Sequence, residues 1–518
     1  MTLGDVVSGW QRERTVVACA AGVASLIAAG TVVGFGRPWA VFAATRAAFA
    51  VTPDALVRVG ITEVGGAAQP VFAAAVAAGL VAGLAGAVPL GRRLADRVGD
   101  RLAPAAVGLT QATLLLAVSG RLVSAAVGGV AGGAVVFAAA PTADADDAGR
   151  RGLLRSVGTA AAAVGLGVPL GLRGSGGGTD GRASEGSTAD GSDTDGRSVR
   201  GQLFQAAERR SLAVPGVDGL VSRDFYEVDI NAANPRERRS EWELRVTGAV
   251  ETEQTLDFEA LSSLRTEHRF VTLRCVGDPL NGEKLDTALW TGVPASAVLS
   301  DVTLESEATR VMVRADDGYY MEFPIEALED AFLAFGMNGG PLPRAHGAPV
   351  RLLVPGHWGE INVKWLAEFE FTTEDRQGYW EKRGWHGTGP VHTVAKLHGV
   401  ETTDGRVVVG GHAYAGTRGL SAVEVSTDGG ETWTEATLSE PLPGRVPADG
   451  DPPEEVVAGT ATDAARLWRH EYEATADHEV VVRAVEADGT VQPRRQGDGE
   501  PFPSGATGWV SETVDPTG

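Results

Sequence analysis

Between Gly174 and Arg200 the chain is almost wholly Gly, Ser, Thr and Asp with scattered Arg, and it contains the run Gly176-Gly177-Gly178. Such a stretch holds too little apolar surface to offset the entropy lost on ordering it. It reads as a solvated tether. The chain before it and the chain after it must then each build a core of their own. Their compositions differ as that division requires, and the organisation expected is 1–173, a tether at 174–205, a second body at 206–385 and a third at 386–518.

The first body is dominated by runs of Ala, Gly, Val and Leu. They lie at Thr15–Phe35, Val71–Leu90, Leu102–Ser119, Leu122–Ala140 and Leu153–Leu172. Runs near 20 residues read as membrane-spanning helices, and the later runs argue against a cleaved signal peptide for the first. The segment Pro38–Leu56 is interrupted by Arg46 and Pro53 and reads as an interfacial or extracytoplasmic loop. Arginine clusters at Arg12 and Arg14, at Arg92, Arg93, Arg97 and Arg101, and at Arg150, Arg151 and Arg155 would share the cytoplasmic side. Five spans then leave the rest of the chain outside the cell, so the expectation is a multi-pass membrane protein with an extracytoplasmic soluble part. All nine histidines lie from His268 onward. A bis-histidine haem among these helices is excluded, and the helices read as an anchor or as a docking place for a quinone.

The formal net charge is −22. So acidic a chain argues against nucleic acid as a partner and suits a protein kept soluble in concentrated salt, as in a halophile. There are two cysteines, Cys19 and Cys275. They are too far apart and too differently set to suggest a disulfide framework. Cys19, in an apolar run, reads as a small buried residue.

After the tether, Gln202–Val214 reads as an amphipathic helix, and Asp224–Ile230 and Trp242–Val246 alternate as half-buried strands do. Phe258–Leu264 reads as a short helix, Phe270–Cys275 as a strand, and Ile325–Phe335 as a helix. Gly/Pro-rich loops follow at Gly336–Pro343 and Pro355–Gly359. Mixed strands and short helices predict an α+β fold with loops free to line a site. From 386 onward, alternating segments separated by Asp-Gly turns predict an all-β sandwich.

Arg274, His346, Arg351, His357, Asn362 and Lys364 fall beside these glycines and suit an anionic or polar cofactor. Asp316 and Tyr319 form a polar pair on a turn, and Glu360 reads as a solvated loop residue. There is no P-loop, dinucleotide fingerprint or paired-cysteine zinc site.

Five blocks in this region resemble the sulfite oxidase family of molybdenum enzymes, closest to its prokaryotic sulfite-oxidase-like and YedY-like members. They are Thr272–Gly277, Ala288–Pro294, Met337–Pro343, His346–Arg351, and Pro355–Gly359 with Val363–Leu366. Gly378–Trp385 resembles the exit from the family's molybdenum domain. Gly416–Leu420, Val423–Ser426, Asp428–Trp433, Trp468–Val485 and Pro501–Ser504 with Gly508–Val510 resemble the immunoglobulin-like domain after it, which often forms dimers.

The resemblance implies a fold of three parts: a multispan α-helical membrane domain, an α+β sulfite-oxidase-type molybdopterin domain, and an all-β immunoglobulin-like sandwich. It implies a molybdenum–molybdopterin cofactor with Cys275 as the metal ligand. Arg274, His346, Arg351, Lys364, Phe225 and Tyr226 would hold the cofactor, and His357, Asn362 and Tyr319 would face the reacting atoms. The implied activity is oxygen-atom transfer on sulfite or a related small compound, or reduction of a sulfoxide, with a quinone, a cytochrome or a cupredoxin-like protein carrying electrons. A membrane-anchored binding module with a degenerate site is the alternative. Three positions depart from the family pattern: Asp278 stands where Asn is common, Leu289 where some relatives have a basic residue, and Gly359–Asn362 lacks the arginine that precedes the Val-Lys-Trp-Leu block in sulfite oxidases.

Overall fold

The computed structural model describes residues 3–33, 40–50, 52, 68–95, 102–138, 198–230, 234–385, 389–448, 459–494 and 505–516. The chain divides into two units, Met1–Arg182 with Asp229–Pro235, and Ala183–Val228 with Arg236–Gly518.

The first unit is helical, with helices at Leu3–Val33, Ala40–Ala50, Ala68–Ala95, Ala103–Ser119 and Leu122–Ala138. The five-span membrane domain expected from the sequence is not borne out. Among the described residues only Val71–Ala95 is long and apolar enough to cross a bilayer. The apolar helices Thr15–Gly30, Ala103–Ser119 and Leu122–Phe137 have 10–17 residues. At 1.5 Å per residue, 17 residues reach about 26 Å, short of a hydrocarbon core of about 30 Å. The fifth run, Leu153–Leu172, and most of the tether lie outside the described residues. The multi-pass, outward-facing localisation falls with the span count. Cys19 is exposed rather than buried.

The second unit opens with the helix Val199–Arg210, started by Ser198, whose hydroxyl accepts the Gly201 N–H at 3.1 Å. Ten strands follow: β1 (Glu243–Gly248), β2 (Gln254–Asp257), β3 (Glu267–Arg274), β4 (Leu285–Pro294), β5 (Arg310–Ala315), β6 (Tyr320–Pro324), β7 (Phe332–Met337), β8 (Gly340–Pro341), β9 (Arg351–Leu353) and β10 (Leu366–Thr372). They form two sheets. One has the order β2-β1-β10-β5-β6, with β1 and β10 parallel. The other runs β3-β4-β7-β8, with β9 also paired to β7. A common core joins them: Leu244, Val246, Val311, Val313, Phe323, Phe369 and Phe371 pack with Val293, Leu333 and Leu352. The second sheet's other face carries Val271, Leu273, Ala288, Trp290, Phe332 and Ala334, covered by Phe225. Because both faces of this sheet are buried, β3 is buried along nearly its whole length, and its apolar run does not alternate.

Two local expectations change. Asp224–Ile230 is an irregular segment, not a strand. Ile325–Phe335 is a short 3-10 turn, Ile325–Leu328, followed by strand β7. A short apolar run buried on both faces carries no period that separates helix from strand. Trp290–Pro294 ends β4 and leads, as its sequence predicts, into a short helix, Ala295–Val298.

The C-terminal part contributes β11 (Val394–Ala395), β12 (Gly399–Thr403), β13 (Arg406–Tyr414), β14 (Leu420–Ser426), β15 (Thr434–Glu435), β16 (Thr437–Leu438), β17 (Val446–Pro447), β18 (Arg466–Glu473), β19 (His478–Glu486) and β20 (Val510–Val514). One sheet has the order β11-β13-β18-β16, with β12 on β13, and the other β15-β14-β19-β20. Val407, Val409 and Trp468 from the first meet Val423, Val425, Val480 and Val482 from the second in one core. Strand β17 crosses to pair with β3, and the chain from Asp463 to Ala465 bonds to Thr272. Strand β3, which leads into Cys275, is therefore backed by the C-terminal part. Pro501–Ser504 lies outside the described residues.

Candidate functional site

Cys275 is the first residue past β3. Its N–H donates to the Lys284 carbonyl at 3.0 Å, and its carbonyl accepts the Asp278 N–H at 3.1 Å, which closes a turn. The thiol is free and the residue is 9% exposed. Burial pushes the thiol up to about 11, against the pull of Lys284 and with the help of Asp278 and Glu360.

The preceding Arg274 is fully buried and turns toward the C-terminal part. It donates to the carbonyls of His392 at 2.9 Å and Ala506 at 2.7 Å, and its guanidinium lies 4.8 Å from the Trp358 ring centre.

The His-Gly-x-Pro-x-Arg block supplies the other cationic groups. Arg351 donates to the carbonyls of His346 at 3.1 Å and Asn362 at 3.0 Å and lies 5.1 Å from the Trp290 ring centre. Its Nε is buried with no hydrogen-bond partner. Burial lowers it to about 10, so it stays charged at neutral pH. Lys364 donates to the Ala345 carbonyl at 2.9 Å and lies over the Trp365 ring. Burial draws it down to about 7, with Glu227 pulling the other way. Gly347 (φ 109°) lets these groups close up. A Cβ there would come within 2.9 Å of the Lys364 Cβ and 3.1 Å of the Arg351 Cβ.

Aromatic rings line the same place. Phe225 stacks on Tyr226 with centroids 5.4 Å apart and meets Trp290 and His346 edge-on at 5.6 and 5.5 Å. Burial and Arg351 push His346 down to about 4, so it is neutral at pH 7. Its 3.9 Å approach to Glu227 is then a contact without ionic character. The Tyr226 N–H donates to Asp286 at 2.9 Å. Burial drives its phenol well above the usual value, Cys275 adds to this and Arg351 opposes it, so Tyr226 feels both groups. Its hydroxyl lies against Gly359, where a Cβ would come within 2.8 Å.

Of the residues singled out in the sequence, Phe225, Tyr226, Cys275, His346 and Arg351 come together, and Lys364 joins through Gly347. Asn362 spends its amide on the backbone, accepting from Val354 at 2.7 Å and donating to Trp358 at 3.0 Å, so it braces the loop. The His357 ring pairs with the Pro355 carbonyl at 2.9 Å. Tyr319 belongs to a neighbouring cluster: its hydroxyl donates to the Glu360 carbonyl at 2.8 Å, and its ring lies 5.5 Å from Tyr379. Glu360 is not a solvated loop residue. Both its carboxyl oxygens are shut off from solvent without a hydrogen-bond partner.

Sequence reasoning passed over three residues that brace β3 and the turn after Cys275: Lys396, Asp463 and Tyr414. Lys396 is fully buried and bonds Asp278 at 2.5 Å. Asp463 accepts from the Tyr414 hydroxyl and from the Gly356 N–H at 2.9 Å. One signal for the first pair was present: a lysine between Ala395 and Leu397 in an apolar strand needs a buried partner, and Asp278 is an acid in a turn of buried residues.

Residues 231–380 match the oxidoreductase molybdopterin-binding domain, and residues 390–498 match the Mo-co oxidoreductase dimerisation domain. Mitochondrial sulfite oxidase of Rattus norvegicus is 29% identical over 246 residues, which are 38% of this chain and 45% of that protein. The uncharacterized oxidoreductase YuiH of Bacillus subtilis (strain 168) is 30% identical over 155 residues, 30% of this chain and 76% of that protein. The crystal structure of the sulfane dehydrogenase SoxCD from Paracoccus pantotrophus aligns with a TM-score of 0.48 at 20% identity, covering 58% of this chain and 82% of that one. The chain thus spans less than half of the rat sulfite oxidase but about three quarters of YuiH. On that coverage, and with both domain matches in order along one unit, the chain belongs to the family of molybdopterin-binding, molybdenum-cofactor-dependent oxidoreductases related to the sulfite oxidases.

Proposed function

We propose that the region around Cys275 binds a molybdenum–molybdopterin cofactor and carries out two-electron oxygen-atom transfer on sulfite or a related small compound. The observation that carries this reading is the convergence of the buried Cys275 thiol, Tyr226 and the Arg351 guanidinium, with the Arg351 Nε left without a partner. Among the described residues no group of three or more His, Cys, Asp or Glu could hold a metal ion. A single thiolate suits a metal whose other ligands come from its organic cofactor. Buried cations with spare donors suit that cofactor's anionic groups. The residues present therefore fit the group.

In this reading Cys275 is the metal ligand, and its displaced proton leaves on binding. Arg351, Lys364 and His346 hold the pterin and its phosphate, the first two by charge and the neutral imidazole by hydrogen bonding. Phe225 and Tyr226 cover the cofactor. Arg274 ties the ligand strand to the C-terminal part, while Asn362, His357 and Tyr319 shape the approach to the reacting atoms. When bound, the cofactor supplies the two-electron redox chemistry and the oxygen exchange with water. Electrons pass to or from a separate carrier, a quinone, a cytochrome or a cupredoxin-like protein. Residues 206–385 form the cofactor domain, and 386–518 an immunoglobulin-like domain through which two copies pair.

One observation favours a second reading, reduction of methionine sulfoxide or another S- or N-oxide. The loop that follows Gly359 carries Glu360, whose carboxyl oxygens are shut off from solvent, and adds no arginine. A neutral substrate suits such surroundings better than a dianion.

The test is the molybdenum content of protein purified from a cofactor-competent host, with redox assays against sulfite and a panel of sulfoxides and a Cys275→Ser control. About one molybdenum per chain and turnover lost in Cys275→Ser are expected. A metal-free wild-type protein would instead favour the non-catalytic binding module.

A further inference from the structure

Lysine is scarce in this chain. Lys284, Lys364, Lys382 and Lys396 are the four lysines among 45 basic residues. Lys364 donates to the Ala345 carbonyl and Lys396 to Asp278, and Lys284 is half-buried. Only Lys382 is exposed. Its ammonium lies 4.8 Å from the Tyr320 ring centre. It forms no ion pair among the described residues.

That ammonium helps to line an open cleft of about 530 Å³, with Met312, Arg314, Tyr320, Arg376 and Gln377. Along β5, Val311 and Val313 enter the common core, so Met312 and Arg314 point to the other face of the sheet. Arg314 stands opposite Tyr320 across the β5–β6 hairpin. The remaining wall is the segment from Arg376 to Lys382, pinned to β6 by the Tyr379 N–H on the Tyr320 carbonyl at 2.9 Å. The volume falls within the range of about 300–1,000 Å³ usual for small-molecule sites.

Three of the six lining residues are cationic and none is acidic. Glu370 clasps the two arginines: one carboxyl oxygen takes the Arg376 Nη1 at 2.6 Å and the other takes the Arg314 Nη2. Glu368 is shared between Arg314 at 3.4 Å and Arg245 at 3.2 Å, so Glu368 and Arg245 offset each other. Glu374, 3.4 Å from the Arg376 Nε, is 73% exposed and screened by water. About two positive charges are therefore left on the cleft, in a chain of net charge −22. Donors are left as well. Arg314 Nη1, Arg376 Nη2 and Lys382 Nζ make no hydrogen bond to protein among the described residues.

Guanidinium forks favour oxyanions, and an ammonium on a long stem adds a movable point charge. Two surplus charges match a doubly charged group. The cleft is larger than a bare ion, and the Tyr320 face and Met312 offer apolar surface to whatever carries that group. We propose that this cleft binds a small molecule by a doubly charged tetrahedral oxyanion, a phosphate or sulfate group, gripped by Arg314, Arg376 and Lys382. The cleft uses none of the residues gathered around Cys275, so it stands independently of the oxygen-transfer reading.

The scarcity of lysine supplies the test. The full chain is acetylated with an N-hydroxysuccinimide ester at low ionic strength and mapped by peptide. This is done alone and with sodium phosphate, sodium sulfate or sodium chloride at matched ionic strength. Lys382 is the readout and the buried Lys396 the internal control. Calorimetry with the protecting anion, and a thermal melt, are run on the wild type, Arg376→Gln and Lys382→Ala.

Phosphate or sulfate at about 10 mM should slow acetylation of Lys382 at least about fivefold, as a dissociation constant of about 1 mM or tighter requires. Whichever of the two protects names the group. Chloride should not protect. Arg376→Gln keeps Lys382 and should lose the protection, and Lys382→Ala should weaken the calorimetric affinity at least about tenfold. Should Arg376→Gln melt early, Lys382→Ala decides. Protection by chloride equal to that by the oxyanions, protection by neither oxyanion, or a folded Arg376→Gln protected like the wild type overturns the proposal. None of these outcomes depends on molybdenum, so its failure and that of the oxygen-transfer reading are told apart.

Discussion

Lys396 and Asp278 form an ion pair at 2.5 Å with the side chains 0% and 2% exposed. The pair ties the strand β11 edge of the C-terminal sandwich to the turn that follows Cys275. Lys396 also donates to the Gly282 carbonyl, and the other Asp278 oxygen accepts the Lys284 N–H at 3.1 Å. Asp278 thus fixes both ends of the Cys275–Lys284 turn. Lys396→Met alone should leave a buried carboxylate without its partner and cost about 3–5 kcal/mol. Urea unfolding would measure it. Lys396→Met combined with Asp278→Leu should recover much of that loss; a double variant no better than the single would refute the pairing argument.

The two cysteines should differ sharply as nucleophiles. Cys19 is exposed, whereas Cys275 is buried and pushed up to about 11. At pH 8 a thiol with that value is roughly one-thousandth thiolate. In protein made without molybdenum, iodoacetamide should modify Cys19 first and Cys275 at least about a hundredfold more slowly. Peptide mapping after timed alkylation checks this, and equal rates would contradict the buried setting of Cys275.

Arg351 should be irreplaceable by lysine. Its fork spans the His346 and Asn362 carbonyls while its plane lies over Trp290. An ammonium can reach only one of these at a time. Arg351→Lys should keep the fold but lower molybdenum retained through purification by about tenfold or more. Metal analysis alongside a thermal melt separates the two effects, and full retention in Arg351→Lys would sink the assigned role.

The sequence carried the centre of this site well and its supports poorly. Cys275, His346 and Arg351 stand in short blocks whose neighbours are diagnostic, and the chain brings them together with Phe225 and Tyr226. Lys396 and Asp463 lie more than 100 residues from the turns they secure, and no local pattern encodes a contact across two domains. Glu360 misled because a charged residue between Gly359 and Ile361 resembles any surface loop, yet its carboxyl oxygens are shut off from solvent and Tyr319 bonds its carbonyl. Phe332–Met337 misled for a different reason, since burial on both faces erases the period that distinguishes strand from helix. In the first unit, composition measured hydrophobicity but not the length of unbroken helix, and length decides whether a run can span.

Asp463 links the candidate site to stability against pH. It is buried, and one oxygen takes the Tyr414 hydroxyl and the Gly356 N–H while the other has no partner. Burial outweighs those two bonds and pushes the carboxyl up to about 8, from a free value near 4. A folded-state value above the unfolded one means the folded form holds the proton more tightly. The resulting stability is complete below about pH 4 and is lost as pH rises toward 8. At about 1.4 kcal/mol per unit the full span amounts to a few kcal/mol. Asp463→Asn cannot titrate, and it keeps an oxygen for Tyr414 and Gly356. Its urea midpoint should therefore fall less between about pH 5 and 9 than that of the wild type. The difference between the two slopes, rather than either midpoint, is the readout, because the new amide leaves an unpaired donor of its own. Parallel slopes would mean that Asp463 is ionised in the folded protein.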